Sequence, residues 1–245
     1  MEFKGKAALV TGGTRGIGAA IVRRLARKGA DVAFTFASSD RAASDLVQEI
    51  ETLGGKACAI KADSGDPLAV RQAVEQAASV LGRLDILVNS AGVFYAGPIE
   101  NVTLEEIDTT LAIHVRAVFV ASQAALGHMG SGGRIISIGS CFAQRVPYGG
   151  ATLYAMSKSA LIGFTKGLAR EVGERGITVN VVDPGSTDTE MNPADGPAVA
   201  AELELMAVKR YAVPDEIAAA VAYLASAESG FVTGASLAID GGLSA

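Results

Sequence analysis

The sequence predicts a doubly wound α/β fold, one parallel sheet with helices on both faces. Three observations carry this. Seven short apolar runs alternate along the chain with segments of helical periodicity. Of the 245 residues, 49% are hydrophobic but only 5% aromatic, and Trp is absent. Small and branched side chains of this kind suit strands that are buried on both faces. A glycine-rich turn, Thr11 to Gly18, sits between the first apolar run and the first helical pattern. Right-handed crossovers make of this alternation a Rossmann arrangement with a seven-stranded sheet. One domain is expected over residues 1–245.

The expected strands are Ala7–Val10, Val32–Phe36, Ala57–Ile60, Ile86–Val88, Arg134–Ile138, Thr178–Val182 and Leu237–Ile239. Between the first two, Ile17, Ile21, Val22 and Leu25 recur at helical spacing, and Gly29 supplies a stop. Thr103-Leu104-Glu105-Glu106 reads as a capping box opening a helix. Thr152 to Arg170 is a further helical stretch. Pro214-Asp215-Glu216 opens another, with proline in the first turn and acids at the positive helix end. The segment 187–211 breaks the rhythm with Pro193, Gly196, Pro197 and only a short helical pattern. An excursion of that length in a compact domain reads as a lid or substrate loop.

Composition narrows the function. A formal net charge of −5 gives no general attraction to nucleic acid. Cys58 and Cys141 make neither a disulfide framework nor a metal-ligand cluster, and two histidines add little to a metal site. His128, beside a glycine-rich turn, reads as a surface residue. A reduced cytoplasmic protein without a metal is expected. The residues before Thr11 lack the apolar core of a signal peptide. The longest apolar run, Ile217 to Ala225, is short of the roughly 20 residues a membrane span takes, so no membrane partner is expected.

Strand, glycine turn and helix in that order are what a dinucleotide site requires. Gly12 can turn the chain sharply, Gly16 lets the main chain approach a pyrophosphate, and Gly18 lets helix pack on strand. The helix N-terminus then offers free N–H groups and partial positive charge. Tyr154 and Lys158, four apart, share one helix face. A free phenol has a pKa of about 10. A neighbouring ammonium is expected to lower it, making the phenol a general acid or base. Ser140, at a strand end, can donate to a substrate carbonyl oxygen. Ser137 is a weaker candidate, lying inside the strand pattern.

These pieces together resemble the short-chain dehydrogenase/reductase family, in its single-domain branch, over nearly the whole chain. The resemblance rests on Thr11 to Gly18 with its Gly-x-x-x-Gly-x-Gly spacing, Asp63, and Asn89-Ser90-Ala91-Gly92. It extends through Ser140, Tyr154-Ala155-Met156-Ser157-Lys158, Pro184-Gly185 and Asp240-Gly241-Gly242. It implies that Gly12, Thr14, Arg15, Gly16, Ile17 and Gly18 hold a nicotinamide cofactor's phosphates. It places Asp63 on the adenine and Asn89, Ala91 and Gly92 beside the adenine ribose. Lys158 would bind the nicotinamide ribose next to Tyr154, with Pro184, Gly185, Thr187 and Thr189 near the nicotinamide. Sites specific for NAD put an acid at the end of the second strand, where this chain has Phe36. Arg15 and Ser38 could instead meet a 2′-phosphate, so NADP(H) is the expected cofactor.

At one point the chain departs from the family. Where relatives usually carry an Asn in the proton path behind the lysine, this chain has His114. That histidine either joins the path or is satisfied by a local partner. Phe94, Tyr95 and Phe142, with the segment 187–211, are expected to line the substrate pocket. The expected activity is NADPH-dependent reduction of a ketone to a secondary alcohol, the ketone being a small-molecule carbonyl or a 3-oxoacyl thioester. An NAD(P)-dependent alcohol dehydrogenase and a nucleotide-binding regulator with little catalysis remain alternatives. Relatives are commonly homotetramers or homodimers, with the helices around Leu111 to Ala125 and Thr152 to Arg170 as one interface.

Overall fold

Seven parallel strands form one sheet in the computed structural model, which describes residues 1–245. They are β1 (Ala7–Thr11), β2 (Asp31–Phe36), β3 (Ala57–Lys61), β4 (Ile86–Asn89), β5 (Arg134–Ile138), β6 (Thr178–Pro184) and β7 (Ser236–Ile239), in the order β3-β2-β1-β4-β5-β6-β7. The chain builds outward from β1 to β3, then crosses back to place β4 on the other side of β1. The reversal leaves a crevice at the carboxyl ends of β1 and β4, where ligands of open α/β sheets collect.

Helices α1 (Gly16–Arg27), α2 (Asp40–Thr52) and α8 (Pro214–Ala225) cover one face. Helices α3 (Pro67–Leu81), α5 (Ala117–Ala125) and α6 (Thr152–Val172) cover the other. Ile21 and Leu25 of α1 meet Ile217, Val221 and Leu224 of α8 in the first core, all fully or almost fully buried. Each such side chain contributes about 1.5–3 kcal/mol by leaving water. The second core rests on Val70, Val74 and Ala77 of α3 against Leu9, Leu87 and Ile135 of the sheet. At the amino ends of the strands, Asp85 accepts from the Ala7 N–H at 2.9 Å and pairs with Arg83 at 2.7 Å, pinning β1 to β4.

The expected strands agree with the observed ones to within two residues at each end. α1 ends just before Gly29, whose φ of +100° reverses the chain. The capping box closes as read: Thr103 Oγ1 accepts from the Glu106 N–H, and the Glu106 carboxylate accepts from the Thr103 N–H, opening α4 (Leu104–Leu111). One feature was not legible. Between α4 and α5 the helix widens to a π turn over Ala112–Arg116, which carries His114. The excursion at 187–211 holds the short helix α7 (Val199–Leu205), and Thr187 bridges to Ala212 at its base. Both cysteines are free thiols, and no helix is long and apolar enough to cross a membrane.

Candidate active site

A cleft of about 450 Å³ opens at the carboxyl edge of the sheet. Its floor is the turn after β1. Gly12 has a φ of +67°, and a Cβ there would lie 2.8 Å from Ala91 Cα. A Cβ on Gly18 would lie 2.1 Å from the Gly12 carbonyl oxygen, so only glycine lets α1 start this close to β1. No side chain caps the first N–H groups of α1. Its opening residues Gly16, Ile17 and Gly18 line the cleft, which leaves those amides available to an anion.

Most of the residues expected around an adenine stand in the cleft wall. Thr14, Arg15, Ser38, Asp63, Ala91 and Gly92 all line the cleft. β2 ends in buried Phe36, with no carboxylate at that position. Arg15 reaches Glu190 at 3.5 Å, both side chains largely exposed, a pairing worth little in water and easily exchanged. Asp63 also holds the Gly65 N–H at 2.8 Å, so its turn-forming role coexists with its place on the wall. Asn89 departs from expectation. It is buried beneath the cleft, its amide directed at Ser122 and Ser137 at 3.4 and 3.5 Å. Its side chain ties β4 to α5 and β5 and does not line the cleft. Tyr95 also lies outside it, whereas Phe94, Phe142, Pro184, Gly185, Thr187 and Thr189 line it.

At the other end, Ser140, Tyr154, Lys158 and His114 converge. Ser140 follows β5 and caps a short 3₁₀ turn, its Oγ accepting from the Phe142 N–H at 3.2 Å. Its hydroxyl proton stays free to be donated. The rings of Phe94, His114 and Phe142 stand edge-on to Tyr154, with centroids 4.9, 5.7 and 6.1 Å away. Lys158, 5% exposed, donates to the Ile138 carbonyl at 2.9 Å and lies 5.6 Å from the Tyr154 ring centroid.

The electrostatics correct one expectation. Burial pushes the Tyr154 phenol up to about 12. The Ser140 hydroxyl pulls it down, and Cys141, Asp183 and Tyr148 add to the rise. Burial pushes Lys158 down to about 8, opposed by the Asp183 charge. Lys158 is not among the groups that lower the phenol, so burial decides its state and keeps Tyr154 protonated.

His114 shows the locally satisfied arrangement. It is 1% exposed, its Nε2 accepts from the Val93 N–H at 3.0 Å, and its Nδ1 lies 2.8 Å from Ser157 Oγ. Ser157 spends its own proton on the Tyr154 carbonyl at 2.7 Å. Nδ1 therefore carries the ring proton and donates it to Ser157. Burial first, then the Lys158 charge, push the imidazole down to about 3, so it is neutral at ordinary pH. With both nitrogens occupied, the ring has no free site from which to pass a proton.

Sequence reasoning missed two buried acids. Asp183, on β6, accepts hydrogen bonds from the Ser140 N–H at 3.1 Å and from the Ser236 hydroxyl, fixing Ser140 from behind. Glu202, on α7, lines the cleft beside Tyr148. The hint for Asp183 was an acid inside an apolar strand next to Pro184-Gly185. Glu202 gave no signal, because its burial depends on how the excursion folds back.

Residues 12–244 match the family described as Enoyl-(Acyl carrier protein) reductase. The "Cyclic-di-GMP-binding biofilm dispersal mediator protein" of Escherichia coli (strain K12) is 47% identical over 99% of both chains. A short-chain dehydrogenase from Burkholderia cenocepacia J2315, solved in complex with NADP, is 57% identical with a TM-score of 0.99 over the whole of both chains. A blue fluorescent protein from a metagenomic library, solved in complex with NADPH, matches to the same degree. Likeness over this extent takes in the glycine turn, the switch point and the Tyr154 end together, and the chain belongs to the short-chain dehydrogenase/reductase family of oxidoreductases.

Proposed function

We propose that the protein uses NADPH to reduce a ketone, a small carbonyl compound or a 3-oxoacyl thioester, to a secondary alcohol. The observation that carries this reading is the convergence of Tyr154, Ser140 and Lys158 in one cleft with the glycine turn, the phenol being raised to about 12 by burial. The residues present fit the cofactor: a glycine cradle, uncapped amides at α1, and Arg15 with Ser38 where an acid would repel a 2′-phosphate. Relatives solved with NADP and NADPH support the same choice.

NADPH supplies the hydride. The chain's own residues handle the oxygen. The Ser140 hydroxyl donates to the substrate carbonyl oxygen and steadies charge developing there. The Tyr154 phenol gives its proton to that oxygen. The Lys158 ammonium, present below pH about 8, offsets the charge left on the phenol. His114 holds the Tyr154 backbone through Ser157 rather than carrying protons. A phenol held protonated favours reduction over alcohol oxidation near neutral pH. A cytoplasmic homotetramer or homodimer is part of the same reading, with Phe119 exposed on α5 to meet a second copy.

The test is NADPH consumption over a panel of ketones and 3-oxoacyl thioesters, for the wild type and Tyr154→Phe. Turnover in the variant should fall about 10²–10⁴-fold with NADPH binding retained. Undiminished turnover would refute the assignment. A second reading, a regulator binding a cyclic dinucleotide, is favoured by the name of the Escherichia coli relative. Tight cyclic-di-GMP binding with no turnover of any ketone would select it.

A further inference from the structure

Glu202 is a buried acid with an unusual division of labour between its two oxygens. The residue is 8% exposed. Oε2 accepts from the Ser186 hydroxyl, from Tyr211 Oη at 2.7 Å and from Asn192 Nδ2 at 3.4 Å. Oε1 receives none of these bonds, and it is not among the sealed, unpaired polar atoms of the interior. Glu202 lines the cleft, and Oε1 is its one carboxylate oxygen left without a bond. No ion pair reaches the carboxylate. The two cationic side chains of the cleft are committed elsewhere, Arg15 to Glu190 and Lys158 to the Ile138 carbonyl.

The acid belongs to the substrate half of the cleft. Its charge helps to hold both Tyr148 and Tyr211 protonated, after burial as the main cause. Tyr148 stacks edge-on against Phe142 at 5.4 Å, and Phe142 against Tyr154 at 6.1 Å. A carboxylate offers about four acceptor sites, and three donors on one oxygen leave the other unsatisfied. Keeping a buried charge without a cation is costly unless something completes its hydrogen bonds. A purely structural tether for the excursion would need only a neutral acceptor in place of Oε2.

We propose that Glu202 Oε1 is a substrate anchor, selecting ketones that carry a hydrogen-bond donor, an ammonium or a hydroxyl, remote from the carbonyl. The inference deepens the reductase reading and rests on it. Carboxylate-bearing ketones are disfavoured by the same group, through like charge.

The test is a chain-length series of 2-alkanones bearing a terminal ammonium, hydroxyl, methyl or carboxylate. At the best length the wild type should show a KM about tenfold lower for the ammonium ketone than for its methyl counterpart. Glu202→Gln keeps the size of the side chain and an acceptor for Ser186 and Tyr211. It should collapse that KM ratio about tenfold and raise the relative rate with the carboxylate. No donor preference in the wild type at any length overturns the proposal, and this arm does not depend on the variant folding. An equal KM increase for every substrate in Glu202→Gln overturns it as well, leaving a tether only. If no ketone turns over, the reductase reading fails separately. Calorimetry of the matching amino-alcohols and alkanols on the NADP⁺-loaded protein then decides. Ammonium preference lost in Glu202→Gln supports the anchor, and equal binding rejects it.

Discussion

Lys158 gives up its hydration and gains one backbone carbonyl in return, which is why its ammonium survives only to about pH 8. Tyr154, pushed up to about 12, stays protonated across that range. Reduction should therefore hold level from pH 6 to about 8 and decline above it, as Lys158 loses its proton before the phenol does. A pH profile of kcat for NADPH oxidation checks this; a rate that climbs steadily from pH 7 to 10 contradicts it. The opposite side of neutrality belongs to His114. Its folded pKa of about 3 lies below the roughly 6.5 of an unfolded histidine, so the unfolded state binds the extra proton between those values. Stability is full above about 6.5 and falls with acid, by about 1.4 kcal/mol per pH unit from this group. Protonation would set an Nε2–H against the Val93 N–H. Urea midpoints at pH 7 and 5 should converge more closely in His114→Asn than in the wild type. Equal acid slopes in both proteins argue against a buried neutral ring.

At the scale of elements, what the sequence disclosed was local. Strand runs, the glycine turn, the capping box and the Tyr154–Lys158 spacing each depend on a few consecutive residues. What stayed hidden depends on neighbours distant in the chain. The π turn around His114 lies where its ring pairs with Val93 and Ser157, 21 and 43 residues away. Asn89 matched a family position, yet its amide turns inward to Ser122 and Ser137. The joint between β5 and β6 was equally invisible. A methyl group on Gly139 would lie 2.0 Å from Asp183 Oδ1, the oxygen that also accepts the Ser140 N–H. Gly139→Ala must displace the Asp183 carboxylate or the end of β5, and Ser140 is tied to both. We expect a loss of about 1–3 kcal/mol in stability, typical of overpacking, and a fall in kcat larger than any change in NADPH affinity. Thermal unfolding and steady-state kinetics measure the two effects; a variant with undiminished kcat would show that Asp183 does not set the position of the serine.

For the molecule as a whole, cofactor choice should be visible as stability. A ligand that binds only the folded state adds about 2.7 kcal/mol at a concentration of 100 Kd. In a chain of 245 residues that corresponds to a Tm rise of about 5–10 °C. The protein carries a net charge of −5 and so does not attract a more highly charged dinucleotide in general. Any preference for NADPH must come from the adenine end, where Phe36 replaces an acid and Arg15 can leave Glu190. Because the Arg15–Glu190 pair is exposed and weak, exchanging it for a phosphate costs little. NADPH should thus raise Tm more than NADH at the same concentration, and the gap should shrink as salt screens the exposed arginine. Arg15→Ala should bring the two shifts together by weakening NADPH alone. Equal shifts in the wild type would mean that the missing acid at Phe36 relaxes specificity without reversing it.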